Sequence, residues 1–323
     1  MSIPRSFGIA RHILALKPIC VKRRAAPVLL VVCSLFYLTY HLMLRICDTD
    51  RSPAERGSDA FYLHYVRFAS NPTKNLSFTD YLSILSGVQY LRPDEILLHG
   101  DRIPTGPYWD NLTAKHLIKF IPMEPPTDFG SAGGKPKKPS FLEHAADVAK
   151  LNILLKYGGV AVDFDVFFVH GERIKEILKS KKAITCYSDE ESYCIGFLAG
   201  HKDSHFLKAW RRSYTDIYVE NDWGFNQGYV SRYLSALFAQ EVYVANHICV
   251  PYVPEYAENA YYYRNTMAMH TYEGGRTDRV ESIEDLVNAN TTARTEMFRN
   301  IYFHINLPPA DRFFIDEVLP EPY

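Results

Sequence analysis

The sequence predicts a mixed α/β domain set behind an N-terminal membrane segment. Apolar runs of strand length alternate with runs of helical period. One of them, Val160-Ala161-Val162, is short and continuous, as in a central strand covered on both faces. An uncharged stretch also reaches from Ala25 to Leu44, close to the roughly 20 residues that span a bilayer. The 323 residues leave room for an anchor and one sizeable domain. Hydrophobic residues make up 47% and the formal net charge is -1 without runs of like charge, which excludes a disordered chain and a basic nucleic-acid footprint.

Taken in order, residues 1–24 contain Arg5, Arg11, Lys17, Lys22, Arg23 and Arg24 and no acidic residue, so they read as a cytoplasmic tail. Residues 25–44 read as an uncleaved anchor, because the apolar run exceeds a signal-peptide core and no small-x-small cleavage site follows. Residues 45–59 are polar, with Pro53 and Gly57, and read as a stem. A lumenal domain is expected over residues 60–323. Sequons at Asn75, Asn111 and Asn290 agree with that topology. Cys47, Cys186, Cys194 and Cys249 would then face an oxidising lumen with pairing open, Cys186 with Cys194 closing a small loop.

Within the domain, a strand is expected from Phe61 to Phe68, a helix from Phe78 to Leu91 capped by Ser77, and strands at Glu95 to His99 and His116 to Pro122. The Pro-, Gly- and Lys-rich segment Glu124 to Lys138 reads as a mobile loop. Ser140-Phe141-Leu142-Glu143 has the form of a capping box, and Phe141, Ala145, Val148, Leu151 and Leu155 recur at helical spacing until Gly158 and Gly159. Further strands are expected at Ala183 to Tyr187, Cys194 to Ala199 and Asn300 to Ile305. Helices are expected near Ser204 to Tyr218 and Asn226 to Ala239.

The apolar strand delivers Asp163 and Asp165 at its carboxyl end, where open α/β sheets bind ligands. Two carboxylates one residue apart repel each other there unless a cation joins them. A hard divalent ion takes oxygen ligands and bridges carboxylate to diphosphate. Asp147 and Lys150 lie three apart on the preceding helix and share a face, as either a ligand-facing pair or an ordinary ion pair.

The segment HAADVAKLNILLKYGGVAVDFDVFFV, from His144 to Val169, resembles the glycosyltransferases with a DXD sugar-binding region. That group includes α-1,4-galactosyl- and N-acetylglucosaminyltransferases and initiating mannosyltransferases. The likeness continues in Phe78 to Asp101, Pro104 to Leu112 and Phe206 to Tyr214. It implies a Rossmann-like GT-A type domain, a retaining transfer from a nucleotide-sugar, a UDP-sugar above others, to a glycan or glycolipid acceptor, and Mn²⁺ or a similar ion. By position, the resemblance makes Asp163 and Asp165 the pair that contacts metal, ribose and diphosphate. It sets Asp147 and Lys150 toward the donor sugar and phosphates. His304, in FHIN, matches a position near the metal or diphosphate, with a half-buried histidine satisfied by backbone as the other reading. Asn226, in WGFNQG, matches an Asn lining the sugar pocket, with simple helix capping as the other reading. Lys135, Lys137 and Lys138 are either a lid over the diphosphate or a solvated loop. Lys150 stands where the family has Arg, Ala161 where it has Tyr, and Arg67 where a Trp is expected. Those changes keep a second reading open, a secretory-pathway binding protein that retains the fold without turnover.

Overall fold

A seven-stranded sheet in the order β3-β2-β1-β4-β7-β6-β8 organises the domain. The structure, a computed structural model, describes residues 60–68, 75–130, 137–188, 192–246, 248–249, 266–273 and 277–304. The tail, anchor and stem expected over residues 1–59 lie outside the described residues, as does Lys135. Among the described residues no helix is long and apolar enough to cross a membrane. Ala60–Tyr323 forms one compact unit.

The strands are β1 (Tyr62–Arg67), β2 (Glu95–Gly100), β3 (Lys119–Pro122), β4 (Gly159–Val162), β6 (Ala183–Tyr187), β7 (Tyr193–Gly200) and β8 (Val242–Ala245). Neighbours pair in parallel except around β7, which runs antiparallel to both β4 and β6. From β1 the chain builds outward through β2 and β3, then returns to place β4 on the other flank. That reversal puts a topological switch point at the carboxyl ends of β1 and β4, the kind of place where open α/β sheets bind ligands. A second ribbon pairs β5 (Val166–Phe168) with β9 (Ala268–His270), antiparallel.

Alternation along the strands feeds two cores. Leu63, Tyr65, Val160, Val162 and Phe197 face one cluster with α1 (Phe78–Ser86) and α8 (Ala293–Tyr302). Ala161, Ile195 and Leu198 face the other, under α3 (Leu142–Tyr157) and α5 (His205–Asp216). Because both sides are covered, β4 reads as a continuous apolar run. Helix α3 is buried nearly all round, with Val148, Leu151 and Leu154 on the sheet. The Gly158-Gly159 pair turns it into β4. Gly159 has φ +99, and a Cβ there would come 2.3 Å from the Tyr62 carbonyl oxygen, so no other residue fits.

The elements depart from expectation where capping and packing decided them. The helix from Phe78 is capped by Ser77 and Asp80 in a reciprocal box, but it passes into a π-helical turn over Gly87–Leu91. At α3 the expected box is absent: Phe141 is the N-cap without a side-chain bond, and Ser140 Oγ instead accepts from Asn221 N at 3.1 Å. The late strand is a helix, α8. Thr292 and Thr295 close a capping box before it, and Ala293, Met297, Phe298 and Ile301 bury one side. Between α5 and α6 (Val230–Leu237), a π-helical turn at Phe225–Tyr229 replaces the start of one long helix. Helices α2 (Pro107–Ala114), α4 (Glu172–Leu178) and α7 (Ile283–Asn288) and strands β5, β8 and β9 had no sequence expectation. The described ends of the Glu124 to Lys138 loop are fastened: Asp128 Oδ1 accepts from Gly130 N and Lys137 N, and Phe129 is buried against Tyr214 and Tyr218.

Candidate metal and donor site

Strand β4 ends at Val162, and the turn that follows splits the next three side chains between two sides. Phe164 turns into the core and stacks on Tyr65 with ring centroids 4.8 Å apart. Asp163 and Asp165 are left together on the other side, and the short ribbon brings His270 to them. Strand β9 pairs His270 with Val166. Its backbone is fixed at both ends, since Thr271 N donates to Asp165 O at 2.9 Å and His270 N to Ile248 O at 2.7 Å. Nε2 of His270 lies 2.9 Å from Asp165 Oδ1. One ligand atom each from Asp163, Asp165 and His270 lie within 4.8 Å of one another. Two carboxylates and an imidazole suit a divalent ion of the Mn²⁺ kind, so the residues present fit the implied metal.

The backbone of β7 lines the floor. Asp163 N donates to Gly196 O at 2.8 Å. A Cβ at Gly196 would sit 2.9 Å from His270 Cε1 and 3.0 Å from Asp163 Oδ2. The missing side chain at Gly196 is what lets both ligands approach.

Beneath Asp163 lies Lys150, its side chain 2% exposed while that of Asp163 is 43% exposed. Nζ reaches Asp163 Oδ1 at 2.8 Å, Ile195 O at 3.1 Å and Asp147 Oδ1 at 3.2 Å. An ammonium has three donors, and these three acceptors take them. Lys150 therefore orients Asp163, with all three of its donors engaged within the protein. Burial opposes its charge, but Asp163 and Asp147 outweigh burial and hold its pKa above the ordinary lysine value. Asp147 is buried too. Burial pushes its carboxyl up to about 7, against the pull of Lys150 and with the push of Asp163. Burial also disfavours charge on His270, yet Cys194 and Asp165 beside it hold its pKa well above the usual imidazole value.

The other expected residues separate from this group. His304 follows α8 at an exposed position with φ 51, on a helix end rather than a strand end. His270 takes the place in the cluster that the sequence reading gave to His304. Asn226 is fully buried and spends its side chain on backbone: Oδ1 accepts from Val219 N at 3.1 Å, and Nδ2 donates to Ser213 O at 3.3 Å. It ties the end of α5 to the π-helical turn. Lys137 Nζ donates to Asp216 O at 3.0 Å, which fixes it to the end of α5, and Lys138 is exposed. Ala161 packs in the core with Val148, Leu151 and Leu154, and Arg67 Nη2 donates to Asn75 O at 3.2 Å. Asn75, Asn111 and Asn290 all lie at exposed positions.

No family model matches the sequence. Glucan organizing enzyme 1 of Cryptococcus neoformans var. grubii is 26% identical over 148 residues, 44% of this chain and 38% of that protein. The match thus spans well under half of the curated relative. Among solved structures, the galactosyltransferase LgtC with donor and acceptor sugar analogues has a TM-score of 0.37 at 15% identity, covering 78% of this chain and 98% of that one. The bifunctional glycosyltransferase WbbM has a TM-score of 0.44 at 10% identity, over 80% of this chain and 52% of that one.

Proposed function

We propose that this chain is a glycosyltransferase that moves a sugar from a nucleotide-diphosphate sugar, with a divalent cation held by Asp163, Asp165 and His270. The convergence of those three side chains at the carboxyl end of β4, over a buried Lys150-Asp147 pair, carries the reading. A structural carboxylate pair has no need of a buried ammonium below and an imidazole beside it. When bound, the ion neutralises the donor diphosphate and stabilises the charge that it takes up on departure.

The chain's own residues set the geometry. Lys150 holds one oxygen of Asp163, which leaves the other for a ligand on the exposed side. The ribbon holds His270 and Asp165 through backbone bonds, so the cation side chains stay in register before any donor arrives. Phe164 anchors the turn in the core between the two aspartates. Retention of the anomeric configuration, a UDP-sugar donor, Mn²⁺ and a glycan or glycolipid acceptor belong to the same proposal. They rest on the DXD resemblance around His144 to Val169. The proposal extends to a single-pass Golgi membrane protein with a lumenal domain. That part rests on the basic residues 1–24 and the uncharged residues 25–44, and protease protection of the protein in sealed microsomes checks it.

The test is calorimetry on the purified protein with a panel of nucleotide-sugars, with and without Mn²⁺, alongside Asp165→Asn. Metal-dependent binding of one donor is expected, weakened at least ~100-fold in the variant, about the loss of one charge-stabilising group. Folded protein that binds no donor in the panel would replace the transferase reading with that of a turnover-free relative.

A further inference from the structure

Three cysteines, far apart in sequence, meet on the β6 side of the site. Cys186 lies on β6, Cys194 faces it across β7, and Cys249 follows β8. Their sulfurs all lie within 4.8 Å of one another, and Cys186 Sγ and Cys249 Sγ are 3.0 Å apart. Both of these are fully buried, while Cys194 is half-buried, with its Sγ 3.5 Å from His270 Nδ1.

We propose that Cys186 and Cys249 form a disulfide, with Cys194 remaining reduced against His270. Three observations choose this pair. Their sulfurs, 3.0 Å apart, are closer than two unbonded sulfurs rest, at roughly twice the van der Waals radius. Besides the other two sulfurs, Cys194 has a further partner in His270 at 3.5 Å, and its sulfur accepts from Gly196 N at 3.3 Å. Finally, Cys186 and Cys249 stand 63 positions apart, so their bond closes a long loop and restricts the unfolded chain more than the short Cys186 to Cys194 loop would.

The bond forms by exchange with a small disulfide such as oxidised glutathione while the chain folds, before burial hides the sulfurs. One cysteine thiolate attacks the oxidant and releases one thiol. The second thiolate then attacks the mixed disulfide, forms the Cys186–Cys249 bond and releases the other thiol. The two protein protons end on the two released thiols, and two electrons pass to the oxidant. The structural consequence reaches the site: Ile248, next to Cys249, accepts the His270 backbone N–H. The bond thus fastens to the sheet the segment against which His270 is held.

The full-length chain, refolded in graded mixtures of reduced and oxidised glutathione, is quenched with acid, alkylated and digested for mass spectrometry. The expected product is a Cys186–Cys249 linked peptide with Cys194 alkylated only after unfolding. The link should resist reductant in the folded protein and yield to it in denaturant. Loss of the bond by unfolding in reductant should lower the melting temperature by about 5–10 °C. Cys194→Ser should keep the linked peptide, and Cys249→Ala should lose it. A link through Cys194 in the wild-type chain would overturn the proposal, as would three free thiols at the oxidising end. So would stoichiometric zinc released by a mercurial, which would make the cluster a thiolate metal site.

Discussion

Helix α3 touches two buried polar groups, and they are built in opposite ways. Midway along it, Lys150 joins Asp147 and Asp163 in a charged network that opens to solvent at Asp163. At its last turn, Tyr157 packs against His64 and His99, whose rings meet at 3.1 Å between Nδ1 and Nε2. His64 also bonds to the Gly158 carbonyl at 2.9 Å. Burial holds both imidazoles neutral, His64 down to about 4 and His99 to about 3. A neutral pair costs far less to bury than a charge, even with His99 Nδ1 left without a partner, and it serves the fold. A buried charge is costly without its partner, and here it lies under the one carboxylate that faces outward. The difference separates a group that holds strands from one that supports the proposed cation site.

Lys150 carries the largest expected effect. Lys150→Met leaves two carboxylates without their cation and is expected to cost about 3–5 kcal/mol in urea unfolding. The double variant with Asp147→Leu should regain most of that stability while donor binding stays lost. If Lys150→Met alone binds donor normally, the network serves only the fold.

The histidine pair is sharpened by pH. Both native pKa values lie below the ordinary 6.5, so the unfolded chain takes up protons first as pH falls. The pair's contribution is therefore complete above about pH 6.5 and is lost as pH drops from there through 4 towards 3. The expected slope reaches ~1.4 kcal/mol per pH unit for each imidazole. Urea midpoints measured from pH 7.5 to 5 should show it, and His64→Leu with His99→Leu should flatten it.

Smaller still is Asn226→Ala, which leaves Val219 N–H without its acceptor. About 1–2 kcal/mol of stability should go, with the donor KM changed less than about two-fold. A large KM change with unchanged stability would return Asn226 to the pocket.

Much of the fold was legible because it depends on local pattern. The apolar triplet of β4, the helical period of α3 and the two glycines between them depend on burial and backbone sterics that each residue carries with it. Asp163 and Asp165 were legible for the same reason, as a polar pair where an apolar strand stops. The late helix was misread because Ile301, Tyr302 and Phe303 make an apolar run that suits either state. The decision fell to the Thr292–Thr295 cap and to packing.

His270 was beyond sequence reasoning. It stands in a short apolar run like many others, one of 12 histidines, and nothing local marks it as a ligand. Only the pairing of β5 with β9 brings it to Asp165. The roles of Lys150 and Asn226 were likewise set by what the fold put within reach: three acceptors around one ammonium, and two backbone groups around one amide. By itself, the sequence determined where the central strand ends and which charges follow it, since apolar burial and the helix-Gly-Gly-strand turn act over neighbouring residues. The tertiary structure alone decided which distant side chains complete the site, because hydrogen bonds and ion pairs depend on distances that chain order does not encode.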